Sequence, residues 1–147
     1  MSTTRVGAGG VVQIERLITT YQSNAAGSAD TAYLSLETML TLMYARYNFR
    51  NRIATRYPRH KLGNDSARYP AGEAVITPSI GKAEAVAWFH DMSRSSPVVF
   101  DPGALAQFKA DLVVERNAGD PNRLDFLLPP DLINQLVVAA AQIQFIL

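Results

Sequence analysis

Apolar residues recur at spacings of three and four through the second quarter of the chain, which is the pattern of an amphipathic helix. The stripe is formed by Tyr33, Leu36, Leu40, Met43 and Tyr47, widened by Met39, Tyr44 and Ile53. Asp30 or Ser28 can cap the first turn, and Pro58 ends the pattern. We therefore predict a long helix over residues 31–57, with its apolar stripe facing the core.

Two further helices are predicted from their first turns. Thr77 can cap a helix that has Pro78 at its first position, and apolar residues continue to about Met92. The pair Asp101-Pro102 opens a short third helix that ends near Lys109.

Three segments have strand character. Residues 11–22 are rich in β-branched side chains and follow a glycine-rich lead at residues 1–10 that we expect to be flexible. Residues 111–117 and 123–128 flank a five-residue link of sequence AGDPN, which predicts a β-hairpin. Residues 59–72 are polar and turn-rich, and predict a loop.

The last segment, residues 132–147, alternates and is apolar on both faces. One face carries Ile133, Val137, Ile143, Phe145 and Leu147. A strand with two apolar faces must be covered on both sides. It is therefore either central in this chain's own sheet or added to the sheet of a neighbouring subunit. The predicted fold is a single α+β domain over residues 1–147. Its mixed sheet (N-terminal strand, hairpin, long C-terminal strand) packs with two main helices.

Composition describes an ordinary globular chain. Its 147 residues are 48% apolar and 18% charged, with no cysteine and hence no disulfide or thiolate chemistry. No apolar stretch is long enough to predict a membrane span.

Charge is unevenly distributed although the net charge is only +1. No Asp or Glu lies between Thr38 and Asn64, whereas most acids lie elsewhere, many of them in the last third. The cations of that window are Arg46, Arg50, Arg52, Arg56, Arg59 and Lys61. A chain with one basic and one acidic region can associate with itself, or with an acidic partner, through complementary fields.

Candidate chemistry is sparse, so we predict that the protein is not an enzyme and has no cofactor or metal site. His60 lies among cations, which disfavour a metal ligand, and a solvated basic loop explains it better. His90 and Asp91 point about 100° apart on a helix and cannot easily act together. No nucleophile or metal motif is present. Nucleic-acid binding is suggested by Tyr44 and Tyr47 beside the arginines, but the net charge is too small for a dedicated binder.

Four stretches carry a resemblance to one family. They are 14–27 (IERLITTYQSNAAG), 36–62 (with RYNFRNRIATRYPRHKL), 77–89 (TPSIGKAEAVAWF), and 111–145 beginning DLVVERNAGDPNRLDFLL. In this order they resemble the C-terminal region of contractile tail sheath proteins of Mu-like bacteriophages. Such proteins are considerably longer, so we expect this chain to correspond to their C-terminal, tube-proximal domain.

The resemblance implies a structural subunit that polymerises around the tail tube and contracts to drive it through the host envelope. It implies that terminal arms add strands to neighbours, for which Ile133, Val137, Ile143, Phe145 and Leu147 are candidates. It also implies charged contacts with the tube or a sheath neighbour, for which the six cations are candidates.

The implied partners are other sheath subunits in a helical homo-oligomer, the tail tube protein, and baseplate and tail terminator proteins. Neither nucleic acid nor a membrane is expected as a stable partner. The expected location is the virion tail, after assembly in the host cytoplasm. The alternative is a strand-donating adaptor of another phage tail or contractile injection machine.

Overall fold

The structure is a computed structural model that describes residues 3–136, 140 and 142. The chain divides into two compact units, Met1–Thr41 with Asn134–Leu147, and Leu42–Ile133. The described residues contain three α-helices and three two-stranded sheets. The α+β class is therefore confirmed. The single mixed sheet is not found in the described part of the chain, because each strand there pairs only within its own small sheet.

The first unit begins with an antiparallel hairpin of β1 (Thr3–Val6) and β2 (Val12–Arg16). The segment predicted as a flexible lead thus contains a strand, and its turn uses Gly9 and Gly10 at φ of +78° and +77°, where a side chain would be strained. The predicted strand over residues 11–22 ends early, at Arg16. Beyond it the backbone makes only single bridges, such as Ile18 with Ser35.

Helix α1 spans Leu36–Arg56, within the predicted range. It begins later than residue 31 because the preceding backbone bonds to the loop after β2. The Thr19 amide donates to the Leu34 carbonyl (2.7 Å), and the Thr19 hydroxyl donates to the Tyr33 carbonyl (2.6 Å).

The prediction that the apolar stripe of α1 faces the core is wrong for most of the stripe, of which only Ile53 packs against the core. Met43, Tyr44 and Tyr47 are 62%, 48% and 66% exposed. The buried residues of the helix are Ala45 and Phe49, with Ile53 partly buried on the same side. A second, narrower stripe at spacings of four therefore faces the core, because a small and an aromatic residue fit closely against the next helix.

Helix α2 spans Pro78–Arg94 and confirms the predicted start. The Thr77 hydroxyl accepts from the Ile80 amide (3.4 Å), and the Asp65 carboxylate accepts from the Ser79 amide (3.0 Å). The third helix is also confirmed. Asp101 accepts from the Gly103 amide (2.8 Å), and a 3-10 turn over Pro102–Ala104 leads into α3 (Leu105–Asp111).

The remaining strands lie in the second unit. Strands β3 (Lys61–Leu62) and β4 (Val75–Ile76) form a short parallel pair, so the predicted loop over residues 59–72 contains a strand. The predicted hairpin is confirmed as β5 (Val113–Arg116) and β6 (Leu124–Leu127). It lies against α2 at Gly81, where a Cβ atom would come within 3.1 Å of Leu124 and Val114.

A chain of aromatic rings forms the centre of the second unit. Phe126 contacts Phe49 with ring centroids 5.1 Å apart, and Phe49 contacts Trp88 at 5.0 Å. Trp88 contacts Phe100 at 4.9 Å. Phe89 then stacks on Phe100 at 5.3 Å and on Phe108 at 4.5 Å. These contacts join the hairpin, all three helices and the segment after α2 into one core.

Buried charges also join α1 to α2. The Glu84 carboxylate is only 7% exposed and accepts hydrogen bonds from Arg52, from Tyr57 (3.0 Å) and from Arg56 (3.2 Å). Arg52 also pairs with Asp91 at 2.5 Å. Burial raises the pKa of Glu84, but the bonds from Arg52 and Tyr57 outweigh it, so the pKa lies below its ordinary value of 4.5.

Replacing Phe89 by alanine should lower the free energy of unfolding by about 3–5 kcal/mol, because both stacked neighbours lose their partner and a cavity remains. Urea denaturation measures the change. The control is Ile80→Ala on the same helix, where the side chain is 39% exposed and the effect should stay within about 0.5 kcal/mol. Equal losses in the two variants would contradict the proposed core.

Replacing Glu84 by glutamine should destabilise the fold by about 3 kcal/mol at neutral pH, because two arginines lose a buried carboxylate. A folded-state pKa below 4.5 means that Glu84 stabilises the protein above that pH and loses this contribution as the pH falls further. The gap between wild type and Glu84→Gln should therefore narrow below pH 4.5, as measured by urea denaturation across a pH series. Glu73→Gln, at an exposed position, is the control. A gap that is independent of pH would show that the charge of Glu84 does not matter.

Candidate functional site

The six candidate cations fall into two groups, four that are exposed and unpaired within the described residues and two that bind Glu84. Arg46 and Arg50 are exposed on α1, and Arg59 and Lys61 are exposed just after it. None of these four forms an ion pair within the described residues. They are therefore available for an external acidic surface.

Arg52 and Arg56 instead belong to the buried network around Glu84. The Arg52 side chain is 14% exposed and that of Arg56 is 56% exposed. Burial lowers the pKa of Arg52, but its bonds to Asp91 and Glu84 outweigh this and the pKa is raised. Spacing in the sequence does not single out Arg52, because Arg46 and Arg52 both lie three residues from Phe49 and Arg46 is exposed.

The two histidines make local contacts. The ring of His60 packs edge-on against Tyr57 with centroids 5.1 Å apart, and its Nδ1 lies 3.3 Å from the Pro58 carbonyl oxygen. His90 is partly buried on α2, where its carbonyl accepts from the Ser93 hydroxyl at 3.0 Å. In the described part of the chain, no three His, Cys, Asp or Glu side chains stand together as a metal-binding group.

The α1 outer face combines apolar and cationic side chains. We use this name for Met43, Tyr44, Arg46, Tyr47 and Arg50, which are all exposed. Three large apolar residues on one solvent-facing stripe are unusual for an isolated domain and are typical of a contact surface.

The hairpin outer face is the second such surface. It contains Val113 and Leu127, which are 43% and 62% exposed and are paired directly across the two strands. It also contains Glu115 and Asp125, which are paired two positions further along the strands. The bonds from Asn117 (2.6 Å) and Arg123 (2.5 Å) lower the pKa of Asp125. Glu115 has no such partner in the described part of the chain.

The first unit exposes apolar residues on its hairpin. Val6, Val11, Val12 and Ile14 are between 60% and 72% exposed, and no residue from 3 to 41 is buried. Its loop is held by polar contacts, since the Tyr21 hydroxyl donates to Asp30 at 2.6 Å. That bond raises the pKa of Tyr21 and lowers that of Asp30.

The predicted terminal strand is only partly covered by the structure. Val137, Ile143, Phe145 and Leu147 lie outside the described residues. Leu132 makes one bridge with Phe100, and the Ile133 amide donates to the Val99 carbonyl (3.2 Å). Ile133 is 49% exposed and Leu136 is 83% exposed. Among the described residues of the segment, Leu132 and Ile133 contact the core of the second unit.

Among the described residues, no helix combines the length and hydropathy that crossing a bilayer requires.

Comparison with known proteins gives two matches. Residues 28–146 match the family described as phage tail sheath C-terminal domain. The chain is also 42% identical over all its 147 residues to the Mu-like prophage FluMu tail sheath protein of Haemophilus influenzae. It spans 29% of the length of that relative. The family is structural and not enzymatic. Since the family match covers most of the residues, the chain belongs to the phage tail sheath family, to its C-terminal domain.

Proposed function

We propose that this chain is the assembly domain of a contractile tail sheath subunit of a Mu-like phage or prophage. The family match over residues 28–146 carries this proposal. The subunit polymerises around the tail tube and contracts to drive it through the host envelope. Its partners are other sheath subunits, the tube protein, and the baseplate and tail terminator proteins. It is assembled in the host cytoplasm and resides in the virion tail, and the 147 residues act as one domain.

The exposed apolar surfaces support a role in assembly. An isolated two-stranded hairpin is marginally stable in water, and β1–β2 has no buried residue to support it. A neighbouring subunit that covers Val6, Val12 and Ile14 would bury these side chains and so stabilise the hairpin. The hairpin outer face and the α1 outer face also expose apolar side chains that a neighbouring subunit could cover.

Strand addition is the proposed way of joining subunits. The sequence of residues 136–147 has the pattern of a β-strand, and its first residue, Leu136, is exposed to solvent. The sheets of the described chain have only two strands each, so their outer backbone groups can accept another strand. Backbone hydrogen bonds would then hold neighbours together while the subunits change orientation during contraction.

Exposed charges suit a contact with the tube or a sheath neighbour that must dissociate during contraction. Arg46, Arg50, Arg59 and Lys61 can face an acidic surface of the tube or of a sheath neighbour. Exposed ion pairs contribute about 0.2–1 kcal/mol each and are screened by salt, so they guide assembly without locking it.

Removing residues 136–147 should abolish assembly and leave the fold intact, because Leu132 and Ile133, which contact the core, are kept. Light scattering and negative-stain electron microscopy compare the intact and shortened chains. We expect tubes, rings or concentration-dependent oligomers from the intact chain alone, with circular dichroism confirming that both are folded. A shortened chain that unfolds, beside an intact chain that stays monomeric, would place the last strand in this domain's own core.

Replacing the four exposed cations (Arg46, Arg50, Arg59 and Lys61) by glutamine should weaken assembly or tube binding roughly tenfold or more, since several exposed pairs are lost together. The matched control replaces four other exposed cations, Arg68, Lys82, Arg94 and Lys109, and changes the net charge equally. Co-sedimentation with assembled tube measures binding, and light scattering measures assembly. Equal behaviour of the two variants would assign the effect to net charge and contradict a directed contact.

A further inference from the structure

We infer that the α1 outer face of one copy binds the hairpin outer face of a second copy. This inference rests on the proposed sheath function and names one of its contacts between subunits. Both surfaces belong to the second unit. All five residues of the α1 outer face are exposed, and on the hairpin outer face Val113, Glu115 and Leu127 are exposed and Asp125 is half-buried.

The α1 outer face has a built-in charge conflict. Arg46 and Arg50 are four residues apart on one helix, an arrangement that places like charges about 5–6 Å apart at the Cβ atoms and is destabilising. Neither has an ion pair within the described residues. An acidic surface placed on them would remove the conflict, and Met43 and Tyr47 beside them would lose contact with water.

The hairpin outer face has the opposite conflict. Glu115 and Asp125 are direct partners in the antiparallel register, which places two carboxylates about 4.5–5.5 Å apart at the Cβ atoms. Arg123 neutralises Asp125, and Glu115 remains free in the described part of the chain. An external cation would stabilise this pair, and Val113 and Leu127 would be covered.

The two surfaces match in sign and in composition. Each carries one like-charged pair, cationic on α1 and acidic on the hairpin, with exposed apolar side chains beside it. The Cβ atoms within the charged pair lie about 5–6 Å apart on α1 and about 4.5–5.5 Å apart on the hairpin, so two arginine side chains can reach the two carboxylates.

The two surfaces cannot meet within one copy. The inner face of the hairpin contacts the inner face of α1, since the rings of Phe126 and Phe49 lie 5.1 Å apart. The outer faces therefore point away from this shared contact. Binding between different surfaces of two copies is head-to-tail, and repetition of such a contact produces a ring or a helical filament. That geometry is what a sheath requires.

Charge reversal provides the test. One variant carries Arg46→Glu and Arg50→Glu, a second carries Glu115→Arg, and a third combines all three changes in one chain. Sedimentation velocity at increasing protein concentration measures self-association of the full 147-residue chain, at low and at high salt. The control carries Arg68→Glu and Lys109→Glu, which reverse two exposed cations outside both surfaces. Circular dichroism confirms that each variant is folded.

We expect the first two variants to lose at least tenfold in self-association separately, and to regain it when mixed in equal amounts. The mixture succeeds because each reversed surface then meets an opposite charge on the other variant. The combined variant should also associate, and the control should behave as wild type at the same salt.

Wild type that stays monomeric up to about 1 mM would overturn this inference. So would self-association that neither reversal changes, although the sheath function would then stand if removal of residues 136–147 still abolished assembly. Reversals on α1 that reduce tube binding alone, without affecting self-association, would assign the α1 outer face to the tube.

Discussion

The continuous aromatic contact from Phe126 to Phe108 is the constraint on which the second unit depends. It runs through rings contributed by the hairpin, α1, α2 and α3, and each contact contributes about 0.5–1.5 kcal/mol beyond its buried area. Because Phe49 lies between Phe126 and Trp88, it sets which side of α1 is buried. The opposite side, with Met43 and Tyr47, is thereby presented to solvent. The core thus determines which apolar side chains of α1 remain exposed.

The buried charges around Glu84 act in the same interface as these rings. A buried ion pair adds little net stability compared with apolar residues, yet removing one partner is costly. Arg52 is therefore bound within the fold, whereas Arg46 and Arg50 on the same helix are exposed and form no ion pair within the described residues. One basic helix in this way serves two purposes, with internal cations that join α1 to α2 and external cations that are free for a partner.

Local chemistry made part of the fold predictable. The pair Thr77-Pro78 and the link AGDPN each determine a backbone geometry within a few residues, and both elements were predicted correctly. The buried side of α1 was not, because periodicity detects a stripe without showing whether core or partner covers it. The β3–β4 pair could not be predicted from the sequence, because each strand has only two paired residues and the two strands lie far apart along the chain. Among the candidate site residues, Arg52 could not be separated from Arg46 by spacing, because both lie three residues from Phe49. The exposure of Glu115 could be recognised only from the pairing of the two hairpin strands.

The two units differ in how many of their residues are buried. Among the described residues, every buried core residue belongs to Leu42–Ile133, and none in the first unit is buried. A segment that exposes Val6, Val12 and Ile14 gains little from folding alone, because apolar area stabilises a structure only when it is removed from water. Its stability must then come from what covers it. Under the proposed function, neighbouring subunits would cover these side chains and stabilise the first unit, whereas the second unit is stabilised by its own core.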